Sequence, residues 1–156
     1  MDQAINVHGT GLLLGDTGLL LRGPSGAGKS VLALSLLERF EGRGQSAFLV
    51  SDDRVDIVRQ GQTLEMAAPA NLAGLIELRG RGIVSRPHRS PVSLHLVIDL
   101  VPDLVRMLEE DALVTELAGV SLPRAPVPSA SAISVPHQLL LVLEAIRALE
   151  GKGGGA

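Results

Sequence analysis

The first part of the chain alternates short apolar runs with glycine-containing turns: "INVHGTGLLLG" and "TGLLLRG", joined by "GDTG". That pattern predicts a β-hairpin running into a glycine-rich stretch. From Lys29 the period changes. "KSVLALSLLERF" sets Val31, Leu34, Leu37 and Leu32, Ser35, Leu36 at helical spacing until the glycines of "EGRG" end it. "SAFLVSDD" then reads as a buried strand closing on two carboxylates, and "RVDIVRQGQTLEM" as a second hairpin turning at "QGQ". "APANLAGLIELRGRGIVSR" suggests a helical turn and a short strand broken by glycines. In "SLHLVIDLVP", Leu94, Leu96, Ile98 and Leu100 alternate on one face of a core strand. "PDLVRMLEEDA" reads as a polar helical turn, "VSLPRAPVPSASAISVP" as a Pro/Ser/Ala-rich loop with one edge strand, and "HQLLLVLEAIRALE" as a terminal helix. The order of hairpins, strands and helices calls for an α/β domain with a mixed sheet.

Length changes the picture only by limiting it: 156 residues, 46% hydrophobic, suit one domain over residues 1–150, with "GKGGGA" (151–156) expected as a flexible tail. A net charge of −3, two phenylalanines and no Trp or Tyr supply neither a basic stripe nor a stacking platform, so nucleic acid is not an expected partner. There is no cysteine, no basic-then-apolar leader and no run of about 18 apolar residues, which points to a cytoplasmic protein without a membrane span.

The densest chemistry lies in "GPSGAGKS": Gly23, Pro24, Ser25, Gly26, Ala27, Gly28, Lys29 and Ser30. This fits G-x-x-x-x-G-K-[ST], in which backbone N–H groups surround phosphates, the lysine reaches the outer phosphates and the hydroxyl reaches Mg²⁺. The strand before it and the helix after it supply the context the motif requires, and the helix N-terminus favours negative charge. Asp52 and Asp53 follow the strand "FLV", where a carboxylate can serve Mg²⁺ or an acceptor hydroxyl. Neighbours on an extended strand face opposite ways, which suggests different roles, although a solvated strand end has the same appearance. Glu77 and Arg79 alternate with Leu78 beside Gly80 and Gly82, and fit either a ligand-facing pair or a surface ion pair. His8 alone reads more readily as a structural histidine than as a catalyst, and Arg106 as a solvated helical arginine.

As a set, "VHG", "GPSGAGKS", "LVSDDRVDI" and "IELRGRGIV", in that order, resemble the catalytic domain of the HPr kinase/phosphorylase family, from about Ile5 to Arg147. The resemblance implies a P-loop domain like the phosphoenolpyruvate-carboxykinase nucleotide-binding fold, ATP and Mg²⁺ as cofactors, the phosphocarrier HPr as serine substrate, and a homo-oligomer, commonly a hexamer. It makes His8 an active-site histidine, Lys29 and Ser30 the triphosphate and Mg²⁺ residues, and Asp52 the proton acceptor. It also makes Asp53 a metal-site carboxylate, Glu77 a second Mg²⁺ ligand, and Arg106 the counterpart of the catalytic arginine. Met1 lies a few residues before the first strand, as in the truncated form found in some proteobacteria. Where the family carries a basic loop of the type P-V-R-P-G-R-N, this chain has "APVPSASAISVP", so reverse phosphorolysis is expected to be weak. Two other readings stand beside the serine kinase: a small-molecule or nucleotide kinase, whose loop looks similar, and an ATP-sensing module that transfers nothing.

Overall fold

A computed structural model describes residues 4–154. Its central layer is a six-stranded sheet in the order β4 (Ala47–Ser51), β2 (Thr10–Leu14), β3 (Thr17–Arg22), β10 (Leu96–Val101), β12 (Val120–Pro128) and β11 (Val114–Leu117). β3, β10 and β12 run parallel, while β2 is antiparallel to both β3 and β4, and β11 to β12. The sheet is therefore mixed, as the element order requires. A second, antiparallel sheet of four strands has the order β1 (Ile5–His8), β5 (Arg54–Gln60), β6 (Thr63–Ala67), β9 (Val92–Leu94). β7 (Leu75–Leu78) and β8 (Gly82–Ser85) form a separate hairpin.

Alternation along the central strands feeds two cores. Leu19, Leu21, Leu49 and Ile98 cluster with Leu32 and Leu36 of α1 (Lys29–Gly42) and Val142 and Leu143 of α2 (Val135–Gly154). Leu20, Val50 and Val97 cluster with Val55, Ile57, Leu64 and Met66 of the second sheet. Helices, central sheet and second sheet thus make three layers. Close approach of the two sheets leaves no room at Gly18, where a Cβ would lie 1.8 Å from the Ser93 carbonyl oxygen.

Several local expectations change. "INVHGTGLLLG" is two strands, β1 and β2, that part at Gly9 for different sheets, and "SLHLVIDLVP" divides likewise at His95 into β9 and β10. Leu94 accordingly packs with the second sheet, while Leu96, Ile98 and Leu100 face the helices. Residues 68–74 form turns in place of a helical turn, and the glycine-broken strand is the β7–β8 hairpin. Pro102–Glu109 is an exposed irregular segment, with only a 3-10 turn at Glu110–Leu113.

The proline-rich "VSLPRAPVP" is a full strand, not a loop. Val120–Pro123 pairs with β11 and Arg124–Pro128 with β10, so each half keeps one edge unpaired, where a missing proline N–H costs no ladder bond. α2 continues through Gly154, into the glycine-rich end, and residues 155–156 lie outside the described residues. Among the described residues no helix is long and apolar enough to cross a membrane.

Candidate active site

The "GPSGAGKS" loop leaves the end of β3 and delivers Lys29 as the first residue of α1. Gly28 caps that helix in the left-handed region, φ +96°, where a side chain would be strained, and a Cβ there would also sit 3.0 Å from Ala130 Cβ. No side chain caps α1 and no acidic residue occupies its first turn, so its free N–H groups and positive dipole end are left to a ligand. Within the loop, Ala27 N–H donates to the Pro24 carbonyl (3.1 Å), and Ala130 N–H, from the segment after β12, donates to the Ala27 carbonyl (3.2 Å). Lys29 is 9% exposed and donates from Nζ to the carbonyls of Gly23 (2.6 Å) and Pro24 (3.2 Å). Burial lowers its pKa from the ordinary value, against the opposing pull of the Asp52 and Asp53 carboxylates. Its ammonium is held where a triphosphate would replace lost hydration.

Asp52 and Asp53 occupy the turn in which the chain leaves β4 in the central sheet for β5 in the second. Ser51, fully buried, closes this turn by donating Oγ–H to the Arg54 carbonyl (2.6 Å). Asp53 takes φ +71°, a left-handed conformation that aspartate tolerates better than most residues. Their environments differ. Thr10, fully buried at the start of β2, donates to Asp52 Oδ1 (2.8 Å), whereas Asp53 Oδ1 lies 3.3 Å from Nδ1 of His8 at the end of β1. Gly9 N–H also donates to the Asp53 carbonyl (3.0 Å).

These groups meet in one cleft of about 550 Å³. The loop contributes Ser25, Gly26, Gly28, Lys29 and Ser30 to its wall, and the sheet turn contributes His8, Asp52 and Asp53. Opposite, the β7–β8 hairpin brings Glu77 and Arg79. Gly23 and Pro24 act one step back, as acceptors for Lys29, and Ala27 is buried beneath the loop. Arg106 is not among the residues that line the cleft; it lies exposed in the irregular Pro102–Glu109 segment, not on the helical turn expected for it.

Among the described residues no three His, Cys, Asp or Glu side chains form a ready-made metal cage. That suits Mg²⁺, which is usually held through one or two carboxylates together with substrate phosphates and water. Ser30, Asp53 and Glu77 share the cleft and have the oxygen chemistry it needs.

Two features escape a reading of the sequence. Thr10, which orients Asp52, looks like any small polar residue opening a strand. The second is a charged network beside the loop. Asp99 accepts from Arg22 (Nε 2.7 Å, Nη2 2.8 Å) and from Arg124 (Nε 2.5 Å), and Arg124 Nη1 also donates to the Ala112 carbonyl (2.8 Å). Burial alone would raise the Asp99 pKa; the hydrogen bonds and charges of Arg22 and Arg124 outweigh it and hold the carboxyl below its ordinary value. A carboxylate within "LVIDLV" was the available signal, because a charge in a core strand requires a partner.

Comparison with known proteins gives a consistent picture. The family model described as the HPr Serine kinase C-terminal domain matches residues 1–145. An HPr kinase/phosphorylase of Aromatoleum aromaticum is 33% identical over 158 residues, covering 93% of this chain and 47% of that protein. One from Levilactobacillus brevis is 42% identical over 80 residues, covering 51% of this chain and 24% of that protein. The chain thus spans about a quarter to about half the length of the curated relatives it matches. The solved structure of the Hpr(Ser) kinase/phosphatase from Coxiella burnetii superposes with a TM-score of 0.75 at 26% identity, covering 97% of this chain and 94% of that one.

Proposed function

Since the chain belongs to the HPr serine kinase C-terminal domain family, we propose that it transfers the γ-phosphoryl group of ATP to a seryl hydroxyl of the phosphocarrier HPr, acting in the cytoplasm as a homo-oligomer. The observation that carries this reading is the single cleft that joins Lys29 and Ser30 to Asp52, Asp53, His8 and Glu77. A small-molecule kinase shares the loop but gives no reason for this second set.

Lys29 binds the outer phosphates of ATP, exchanging the Gly23 and Pro24 carbonyls for them, and the α1 N-terminus offers its unpaired N–H groups. Ser30, Asp53 and Glu77 would hold Mg²⁺, which when bound would neutralise phosphate charge. The seryl oxygen forms a bond to the γ-phosphorus as the bond to the β,γ-bridging oxygen breaks, and ADP leaves with that electron pair. Asp52 takes the seryl proton late in this step, at the carboxylate oxygen that Thr10 leaves free. His8 holds the Asp53 carboxylate in place.

The reverse reaction requires inorganic phosphate to approach a dianionic phosphoserine, a repulsion of roughly 4 kcal/mol per unit-charge pair at about 4 Å and an effective dielectric of 20. The segment Ala125–Pro136 has no cation to offset it. Its amides at Ser129 and Ala130 already donate to Val101 and Ala27, and Arg124, the nearest cation in sequence, is engaged by Asp99 and Ala112. Weak phosphorolysis follows.

The test is incubation with Mg-ATP and the HPr of the same organism, with the phosphate located by mass spectrometry. Phosphoserine on HPr is the expected product. ATP binding without transfer would replace this reading with the ATP-sensing module. Dephosphorylation of purified phosphoserine-HPr at millimolar phosphate, as fast as the forward reaction, would overturn the weak reverse reaction alone.

A further inference from the structure

The β7–β8 hairpin turns one face inward, where Ile76 is 1% exposed and Leu78 and Val84 pack against the helix-side core. Its register, Leu75 opposite Ser85 and Glu77 opposite Ile83, places Leu75, Glu77 and Ile83 together on the other face. That face is uncovered: Leu75 is 44% and Ile83 65% exposed. Both line the cleft, as does Val31 of α1, 40% exposed. Water-exposed leucine, valine and isoleucine on the walls of a charged cleft do nothing for a triphosphate.

A serine side chain is two bonds long. To bring its hydroxyl to Asp52, an acceptor must push the residues beside that serine into the mouth of the cleft, against the walls just described. We propose that the outer face of the β7–β8 hairpin, with Val31, is the docking surface for the acceptor protein. It selects a serine flanked by apolar side chains, with carboxylates at the periphery. The charge preference comes from the hairpin tip, where exposed Arg79 and Arg81 outnumber Glu77 on a chain whose net charge is −3. The proposal rests on the serine-kinase reading and specifies which residues choose the substrate.

The experiment measures transfer to HPr and, separately, Mg-ATP affinity by calorimetry. Ile83 is largely exposed, so Ile83→Ser leaves the fold intact; it should raise KM for HPr roughly tenfold or more, with ATP affinity unchanged. Ile83→Leu should restore KM to near the unsubstituted value. Arg81→Glu should raise KM several-fold, an effect that added salt erases. An unmoved KM in Ile83→Ser, or a parallel loss of ATP affinity marking these walls as a base pocket, would overturn the docking surface and leave the kinase reading standing. Absence of any transfer by the unsubstituted protein would overturn the kinase reading itself, and the docking surface with it.

Discussion

Raising the pH towards 10.5 should stabilise the ligand-free protein, opposite to the usual alkaline behaviour, and Lys29 is the reason. The chain has no Tyr or Cys, and Lys29 and Lys152 are its only lysines. The α-amino group has lost its proton by then and arginine has not begun to lose its own, which leaves the alkaline range almost to one buried side chain. Burial lowers the Lys29 pKa below 10.5, with Asp52 and Asp53 only partly opposing it. Between the lowered folded value and the unfolded 10.5, the unfolded chain therefore binds the extra proton, and stability rises with pH across that window. One proton sets a ceiling on the slope of about 1.4 kcal/mol per pH unit, and solvent reaching the cleft keeps the observed slope below it. Urea unfolding at pH 8.5 to 10.5, followed by far-UV circular dichroism because there is no Trp or Tyr, reads the slope directly. Lys29→Met loses two hydrogen bonds and shifts the whole curve, but should flatten it. A flat or falling stability in the unsubstituted protein, or an equal slope in Lys29→Met, would refute the reasoning.

Asp52→Asn should keep Mg-ATP affinity while slowing phosphoryl transfer by about 10²–10⁴, the usual contribution of a positioned base; a pure loss of metal affinity would reassign the residue. Asp99→Asn should destabilise the fold by about 2 kcal/mol in urea titration, because Arg22 and Arg124 lose their shared counterion in a partly buried site. Asp99 has a folded pKa below 3.8, so its contribution is complete above that value and fades as pH falls beneath it, and the variant should show a shallower acid limb. Gly18→Ala should cost more than about 3 kcal/mol, since its Cβ would overlap the Ser93 carbonyl and the two sheets would have to separate; a melting temperature near that of the unsubstituted protein would contradict the observed sheet spacing.

What the sequence reveals divides along the line between local and long-range physics. The β2–β3 hairpin, α1, and the two carboxylates after β4 follow from turn residues and spacing within a dozen positions. The loop, Asp52, Asp53, His8 and Glu77 do converge on one cleft, although nothing in local pattern says that β1 should pair with β5 and so bring His8 to Asp53. β12 is hidden because Pro123, Pro126 and Pro128 lower every local strand preference; only the exchange of partners between its halves makes them harmless. The breaks at Gly9 and His95 are hidden for a different reason. A continuous apolar run looks the same whether it serves one sheet or two. The apolar and acidic neighbours of Arg106 suggest a helical turn, yet Leu104, Val105 and Met107 are more than half exposed and give such a turn nothing to pack against.

The chain passes from the central sheet to the second sheet at Asp52 and Asp53, and this crossing has a mechanical consequence. Lys29 and Ser30 move with the central layer, whereas His8 and Asp53 move with the outer one, so any slip of one layer over the other alters the spacing of the cleft groups before it unfolds anything. Two short bonds resist that slip, from Thr10 to Asp52 and from Gly9 N–H to the Asp53 carbonyl, and both end on residues that line the cleft. Residues deep between the sheets, such as Met66 against Gly11, therefore bear on the spacing of the cleft without lining it. A substitution there that leaves the melting temperature nearly unchanged can still shift the groups of the cleft, as a loosened bearing spoils the alignment of a sound machine.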